Sequence, residues 1–271
     1  MSQNAITIGA VIYDPKVTVI WGIIADFFKE NALEVEPLFF KDYQSQVDAL
    51  LKGEIDIAWN SPLAWVDADI RSHHRCLKSA MRDTDQNRKS LFLVQAKSGI
   101  KNLQELQGKK IAFGAIDSPQ ARLIPINHLA RKGLVASKDY EEVIFNIGYG
   151  LHGDHVGGER DALEALKSGS VEASVCLDLN YEAWVKDGTI DEKQILLIDE
   201  TPLFDHCIFT VREGFAPDRL KAWEEVLFRM DYNNPKHKEM MDMEGLKAWV
   251  QGRTSGFEQL KEAVERLRFF A

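Results

Sequence analysis

The chain has 271 residues, 45% of them hydrophobic, and a formal net charge of -9 from 42 acidic and 33 basic side chains. That length and apolar content suit two folded lobes, and the acidic balance, with pI ≈ 5.4 and no basic stripe, excludes nucleic acid as the main partner. No apolar run approaches the roughly 20 residues that span a bilayer, and Cys76, Cys176 and Cys207 are too few and too scattered for a disulfide framework or a paired-cysteine zinc site.

Met1–Ala5 runs directly into an alternating stretch with no signal-peptide pattern. The expectation is a soluble protein, periplasmic if a leader has been removed and cytoplasmic if the chain is complete as written. Ile6–Ile12 reads as a strand, residues 17–31 as a helix burying Val17, Ile20, Trp21, Ile24 and Phe28, and Leu33–Phe40 as a second strand. A helix over Tyr43–Lys52, stopped by Gly53, and a buried strand over Ile55–Trp59 complete a βαβαβ alternation, which implies a mostly parallel sheet flanked by helices. After a helix over Leu63–Ile70, the Arg- and Lys-rich segment with His73, His74 and Cys76 reads as a solvated face or turn. Ser90–Gln95 reads as a strand crossing toward a second lobe.

The segment Asn102–Gly133 organises that second lobe. Leu103 and Leu106 form a short helical face, Lys109–Phe113 a buried strand, and Ser118-Pro119 a helix start with a hydroxyl cap and a proline at the first position. A helix start after a parallel strand favours a small anion, and Arg122, one turn further on, adds formal charge. Pro125 falls where an uninterrupted helix wants a donor, which predicts a kink or a later start. Glu142–Ile147 reads as a strand, and the loop 148–158 holds five glycines in eleven residues.

The phrase around Val47–Trp59 recurs around Asp161–Val175: a helix, a lysine, a glycine, then a strand ending in polar residues. These are Asn60 and Ser61 in the first copy and Asp178 and Asn180 in the second. Two lobes sharing this pattern place polar strand ends around a ligand. In the glycine-rich loop, His152, Asp154 and His155 offer metal-ligand types without fixed geometry, and a neutral His155 donating to an anion is the simpler role. Asp205, His206 and Cys207 suggest a nucleophile, but neighbours on a strand point to opposite faces, so His206 and Cys207 are not expected to pair. Ile208–Val211 reads as a strand returning to the first lobe. Helices follow over 217–230, 240–251 and 256–269, with Trp223, Trp249 and Phe257 as core. No cofactor or metal is expected.

These pieces resemble the substrate-binding proteins of phosphonate and phosphate-type ABC transporters. The resemblance rests on Asp42-Tyr43 followed by ALLKGEIDIA, then SGIKNLQELQGKKIAFG, the Gly157–Asp161 region leading into ALKSGSVEA, and FTVREGF, in that order along the chain. It implies a two-lobed periplasmic-binding fold with a cleft between lobes, lobe 1 formed by 1–95 and 205–271 and lobe 2 by 96–204. It also implies hinges near Gln95 and Phe204. Where the family has a Ser-Thr-Ser-Gly-like run, this chain has Asp117-Ser118-Pro119-Gln120-Ala121, so only Ser118 remains as a hydroxyl and Asp117 adds negative charge.

The implied function is a solute-binding protein that closes on a small polar, anionic molecule, a phosphonate- or phosphate-like oxyanion or an organic acid, for ABC-type uptake or sensing, with a transporter permease or a signalling protein as partner. Ser118, Gln120 and Arg122 would hold the anion. Tyr13, Tyr43, Asn60, Ser61, His155, Asp178 and Asn180 would line the site. The alternative is a cytosolic enzyme on the same scaffold, as in menaquinone-pathway enzymes, with His155 and Asp178 as acid and base.

Overall fold

The computed structural model describes residues 5–154 and 156–270. β1 (Ile6–Val11) is followed by α1 (Lys16–Glu30), which turns Val17, Ile20, Trp21, Ile24, Phe27 and Phe28 inward at helical spacing. β2 (Val35–Phe40) leads to α2 (Tyr43–Lys52). The Asp42 carboxylate caps that helix by accepting from Ser45 N–H, and Gly53, left-handed at φ 74°, ends it. β3 (Ile57–Asn60) and α3 (Pro62–Arg71) follow. The segment expected to be solvated then contributes two short strands, β4 (Leu77–Lys78) and β5 (Ala80–Arg82).

β6 (Ser90–Gln95) and β7 (Lys110–Phe113) come next, then a π-helical turn at Pro119–Leu123 that continues into α4 (Ile124–Arg131). β8 (Glu141–Ile144), α5 (Gly157–Ser168), β9 (Ala173–Leu177), α6 (Asp178–Lys186) and β10 (Ile195–Glu200) complete this stretch. The chain closes with β11 (Ile208–Val211), α7 (Pro217–Leu227), α8 (Pro235–Glu244), β12 (Trp249–Gln251) and α9 (Glu258–Leu267). The expected single helix over 240–251 is divided: Gly245, at φ 73°, ends α8, and Trp249–Gln251 instead pair antiparallel with β5.

The chain falls into two compact units, one formed by the residues up to Gln86 with Asp205–Phe257, the other by Asn87–Phe204 with the residues from Glu258. The expectation had kept all of 205–271 with the first lobe. The structure instead puts α9 in the second unit, where Arg131 pairs with Glu262 and Arg266 donates to Asn127 at 2.7 Å. The two main sheets have the order β2-β1-β3-β11-β4 and β8-β7-β9-β6-β10. In each, a first strand lies between two parallel neighbours, and an antiparallel strand follows on the side of the third.

Alternation along the strands builds the cores. In the second unit Phe92, Val94, Ile111, Phe113 and Val175 face one side with Ile126 and Leu129, whereas Leu91, Leu93, Ala112 and Cys176 face the other with Leu163 and Leu166. Truncating a fully buried residue such as Leu166 to Ala costs about 2–5 kcal/mol. The first unit gathers Trp59, Phe209, Trp223 and Trp249 into one aromatic cluster, with the Phe209 and Trp223 rings 4.8 Å apart. Phe257 is also fully buried. These aromatic residues are packing, as their spacing indicated.

Candidate functional site

At the strand ends of the first unit, the predicted residues are held by their own unit. Asn60, fully buried at the end of β3, donates through its amide to Thr210 Oγ1 at 2.8 Å and accepts from Gln46 Nε2 at 2.8 Å. Gln46 also donates to the Trp59 carbonyl, and its Oε1 is buried without a partner. The Ser61 hydroxyl caps α3 by accepting from Ala64 N–H. Tyr43 opens α2 with its ring buried, and Tyr13 packs on the core with the Lys16 ammonium 5.9 Å from its ring centre. Asn60 and Ser61 thus order the start of α3.

The strand ends of the second unit are organised by a residue the sequence reading passed over. Glu159, in the first turn of α5, is almost fully buried. Its Oε2 accepts from the backbone N–H of Leu177 and from the Asn180 amide, both at 2.8 Å, and its Oε1 accepts from Gln120 Nε2 at 3.2 Å. One carboxylate therefore ties together the π-turn, α5, the end of β9 and the start of α6. Gly158 lets α5 begin close against the chain leaving β7 and β8, because a Cβ there would lie 2.6 Å from the Phe145 carbonyl oxygen and 3.2 Å from Ala115 N.

The π-turn follows from Pro125. Without an N–H, Pro125 cannot bond back to Ala121 or Gln120, so both carbonyls are free for other donors. Ala121 O accepts from Gly114 N–H at 3.3 Å, and Gln120 O accepts from the Ser90 hydroxyl at 2.5 Å. The ladder widens accordingly, with Leu123 N–H on Ser118 O and Ile124 N–H on Pro119 O. The predicted late start of the regular helix is observed at Ile124.

The predicted anion-holding side chains each have an internal partner. The Ser118 hydroxyl caps the turn by accepting from Ala121 N–H at 3.1 Å. Gln120 donates to Gly153 O as well as to Glu159, and its Oε1 is buried and unpartnered. Arg122, expected to face a ligand, donates to Glu142 at 2.9 Å and to the Ile116 carbonyl at 3.1 Å, because the helical twist carries it toward β8. At this edge a different cation, Arg88, lies next to a predicted site residue, its Nη1 3.5 Å from Asp178 Oδ2.

The edge is rich in carboxylates. Burial pushes the Asp117 carboxyl upward against the bonds it accepts from the N–H groups of Gly150, its own residue and His152. Burial also raises Asp178, more than Arg88 and the N–H groups of Leu179 and Lys89 lower it.

The triplet at 205–207 departs from expectation. These residues precede β11 in irregular backbone, so strand alternation does not apply, and His206 Nδ1 lies 3.1 Å from Cys207 Sγ. Asp85 Oδ1 lies 3.6 Å from that same nitrogen, so no relay runs from carboxylate through the ring to the thiol. Asp205 is bound by Arg253 through two bonds of 2.6 and 2.7 Å. Asp85, His206 and Cys207 form the one group with metal-ligand spacing among the described residues, and it does not include His152 or Asp154. His155 lies outside the described residues. Among those residues, no helix is long and apolar enough to cross a membrane.

With this geometry in view, comparison with known proteins defines the class as the periplasmic-binding fold. The structure of PhnD1 from Prochlorococcus marinus with methylphosphonate matches with TM-score 0.73 over 98% of both chains at 19% identity. XAC2383 from Xanthomonas citri bound to ATP matches with TM-score 0.75 over 98% of both chains at 15% identity. In sequence, the probable ABC transporter phosphite-binding protein PhnD1 of Prochlorococcus marinus is 24% identical over 88% of this chain and 80% of its own length. The family model for the periplasmic substrate-binding protein of phosphonate ABC transporters matches residues 13–257, and the chain belongs to that family.

Proposed function

We propose that the chain receives a small solute bearing a phosphorus oxyanion and delivers it to an ABC-type permease, with the strand-end edge of the second unit as the anion-holding surface. The observation that carries this reading is the Glu159 network, which gathers the starts of the π-turn, α5 and α6 at one end of the sheet. Helix starts carry partial positive charge that favours an anion. Arg88 supplies the formal charge, and the oxyanion competes with Asp178 for it. Ser118 and Gln120 act here by shaping the turn, and Arg122 by anchoring it to β8. The ligands in the similar proteins' names, phosphite, methylphosphonate and ATP, share phosphorus–oxygen chemistry and support the class without selecting a member.

Thermal shift and calorimetry with phosphite, methylphosphonate, phosphate and ATP test the reading. One of them raises the melting temperature without turnover, and Arg88→Ala weakens that ligand at least tenfold. No response to any of the four, or equal affinity in Arg88→Ala, overturns it.

A further inference from the structure

A concentration of positive charge lies in the first unit, at the opposite end of its sheet from Asn60. There a cavity of about 330 Å³ opens where α2 and α3 end, before β3 begins and after β11. This volume is at the lower end of the range of about 300–1,000 Å³ typical of small-molecule sites. The lining includes four cations, Lys52, Arg71, Arg75 and Arg212, against one carboxylate, Glu213, in a chain whose net charge is -9.

The ordinary explanation for such cations is that they complement helix C-termini. Lys52 and Arg71 fit it, being the last residues of α2 and α3, but Arg75 and Arg212 belong to neither helix. Arg71 is bound to Asp48 and Asp67, and Arg212 to Asp56, yet none of these carboxylates lines the cavity. Two positive groups have capacity to spare. Lys52 Nζ makes no hydrogen bond or ion pair among the described residues, and Arg75 uses Nε on the Ser72 carbonyl and Nη1 on Glu213, leaving Nη2 unused. The Arg75–Glu213 pair is more than half exposed on both sides, so water screens it and a competing anion displaces Glu213 readily.

From this arrangement we infer that the cavity is a second oxyanion site, which takes a phosphate-like dianion between Lys52 and Arg75, with Arg71 and Arg212 fixed behind them. It is independent of the strand-end edge proposed above for the transported solute.

Titration of the ¹⁵N-labelled protein with inorganic phosphate, at ionic strength held constant with KCl, tests the inference. Saturable shifts are expected at the backbone amides of Gly53, Ser72 and Cys76. The double variant Lys52→Ala, Arg75→Ala, which changes exposed side chains only, weakens that response at least tenfold. Arg88→Ala leaves it intact, even where the same substitution abolishes any response around Ser118 and Asp178. Shifts reproduced by KCl alone, shifts unchanged in the double variant, or shifts confined to the Ser118–Asp178 end each overturn the site.

Discussion

The two units share one order of strands, and their α2–β3 and α5–β9 segments correspond, each helix closed by a left-handed glycine, Gly53 or Gly169. Their strand ends nevertheless use different chemistry. The first unit relies on neutral amides and a hydroxyl, Gln46, Asn60 and Thr210, whereas the second relies on the buried charge of Glu159. Ten residues before the capping glycine stands Tyr43 in one unit and Glu159 in the other. Both are buried, but only the carboxylate can accept from three donors at once. The comparison teaches that the repeated scaffold sets where helix starts gather, and a single residue decides whether they gather around charge.

The sharpest way to break the comparison is to delete each centre. Glu159→Ala strands the Leu177 N–H and the Asn180 amide and leaves the Gln120 amide with the Gly153 carbonyl alone, and is expected to cost about 3–5 kcal/mol. Asn60→Ala leaves one buried amide and one hydroxyl to find other partners, and is expected to cost about 1–3 kcal/mol. Urea denaturation of both variants measures the difference. Equal losses would mean that the charge at Glu159 contributes nothing beyond ordinary hydrogen bonding.

A smaller effect separates the units by pH. Burial works to raise the Asp85 carboxyl in the first unit, but Arg82 and His206 overcome it and hold it down at about 2. The stability this lends is present above the unfolded value of about 3.9 and is lost as pH falls toward the folded one, about 2 kcal/mol in all. Asp117 and Asp178 in the second unit are raised, so protonation favours their folded forms and their unfavourable contribution grows as pH rises above about 3.9. Acid therefore removes the contribution of Asp85 and relieves Asp117 and Asp178. Hydrogen exchange at about pH 2.5 against neutral pH should show faster opening beside Asp85, at Arg82 and His206, than beside Asp117 and Asp178. Asp117→Asn, which retains an acceptor for Gly150 N–H, should flatten the second unit's response without loss of stability at neutral pH.

Sequence legibility divides along the same line. The repeated helix–glycine–strand phrase, the Ser118-Pro119 cap and the disturbance at Pro125 are local signals, carried by backbone propensities within a few residues, and they were readable. Family membership was readable too, because the matching phrases keep their order along most of the chain. Glu159 was not, since its role depends on Gln120, Leu177 and Asn180, which only the sheet order brings together. A glutamate following two glycines at a helix start gave the one available hint. The pairing of Arg122 with Glu142 and the approach of Arg88 to Asp178 likewise depend on which strands neighbour which. Trp249–Gln251 carries a helical pattern in sequence yet forms a strand, because β5, its partner, lies far earlier in the chain.

The subtlest test concerns how α4 begins, for which α1 is the natural control. α1 runs as a regular helix from Lys16, with Asp14 accepting from the Lys16 and Val17 N–H groups, and has no π-turn. α4 differs because Pro125 leaves the Gln120 and Ala121 carbonyls to Ser90 and Gly114. Pro125→Ala restores an N–H that competes for those carbonyls, which favours an ordinary α-helical start and turns Gln120 away from Glu159. Proline near a helix start is tolerated, so the expected stability change is within about 1 kcal/mol. Affinity for whichever oxyanion the wild type prefers should nonetheless fall several-fold, because the turn that holds Gln120 against Glu159 in the proposed surface has been rebuilt. If Pro125→Ala binds as the wild type does, the π-turn serves only to join α4 to β7, and the anion-holding surface must lie at α5 and α6.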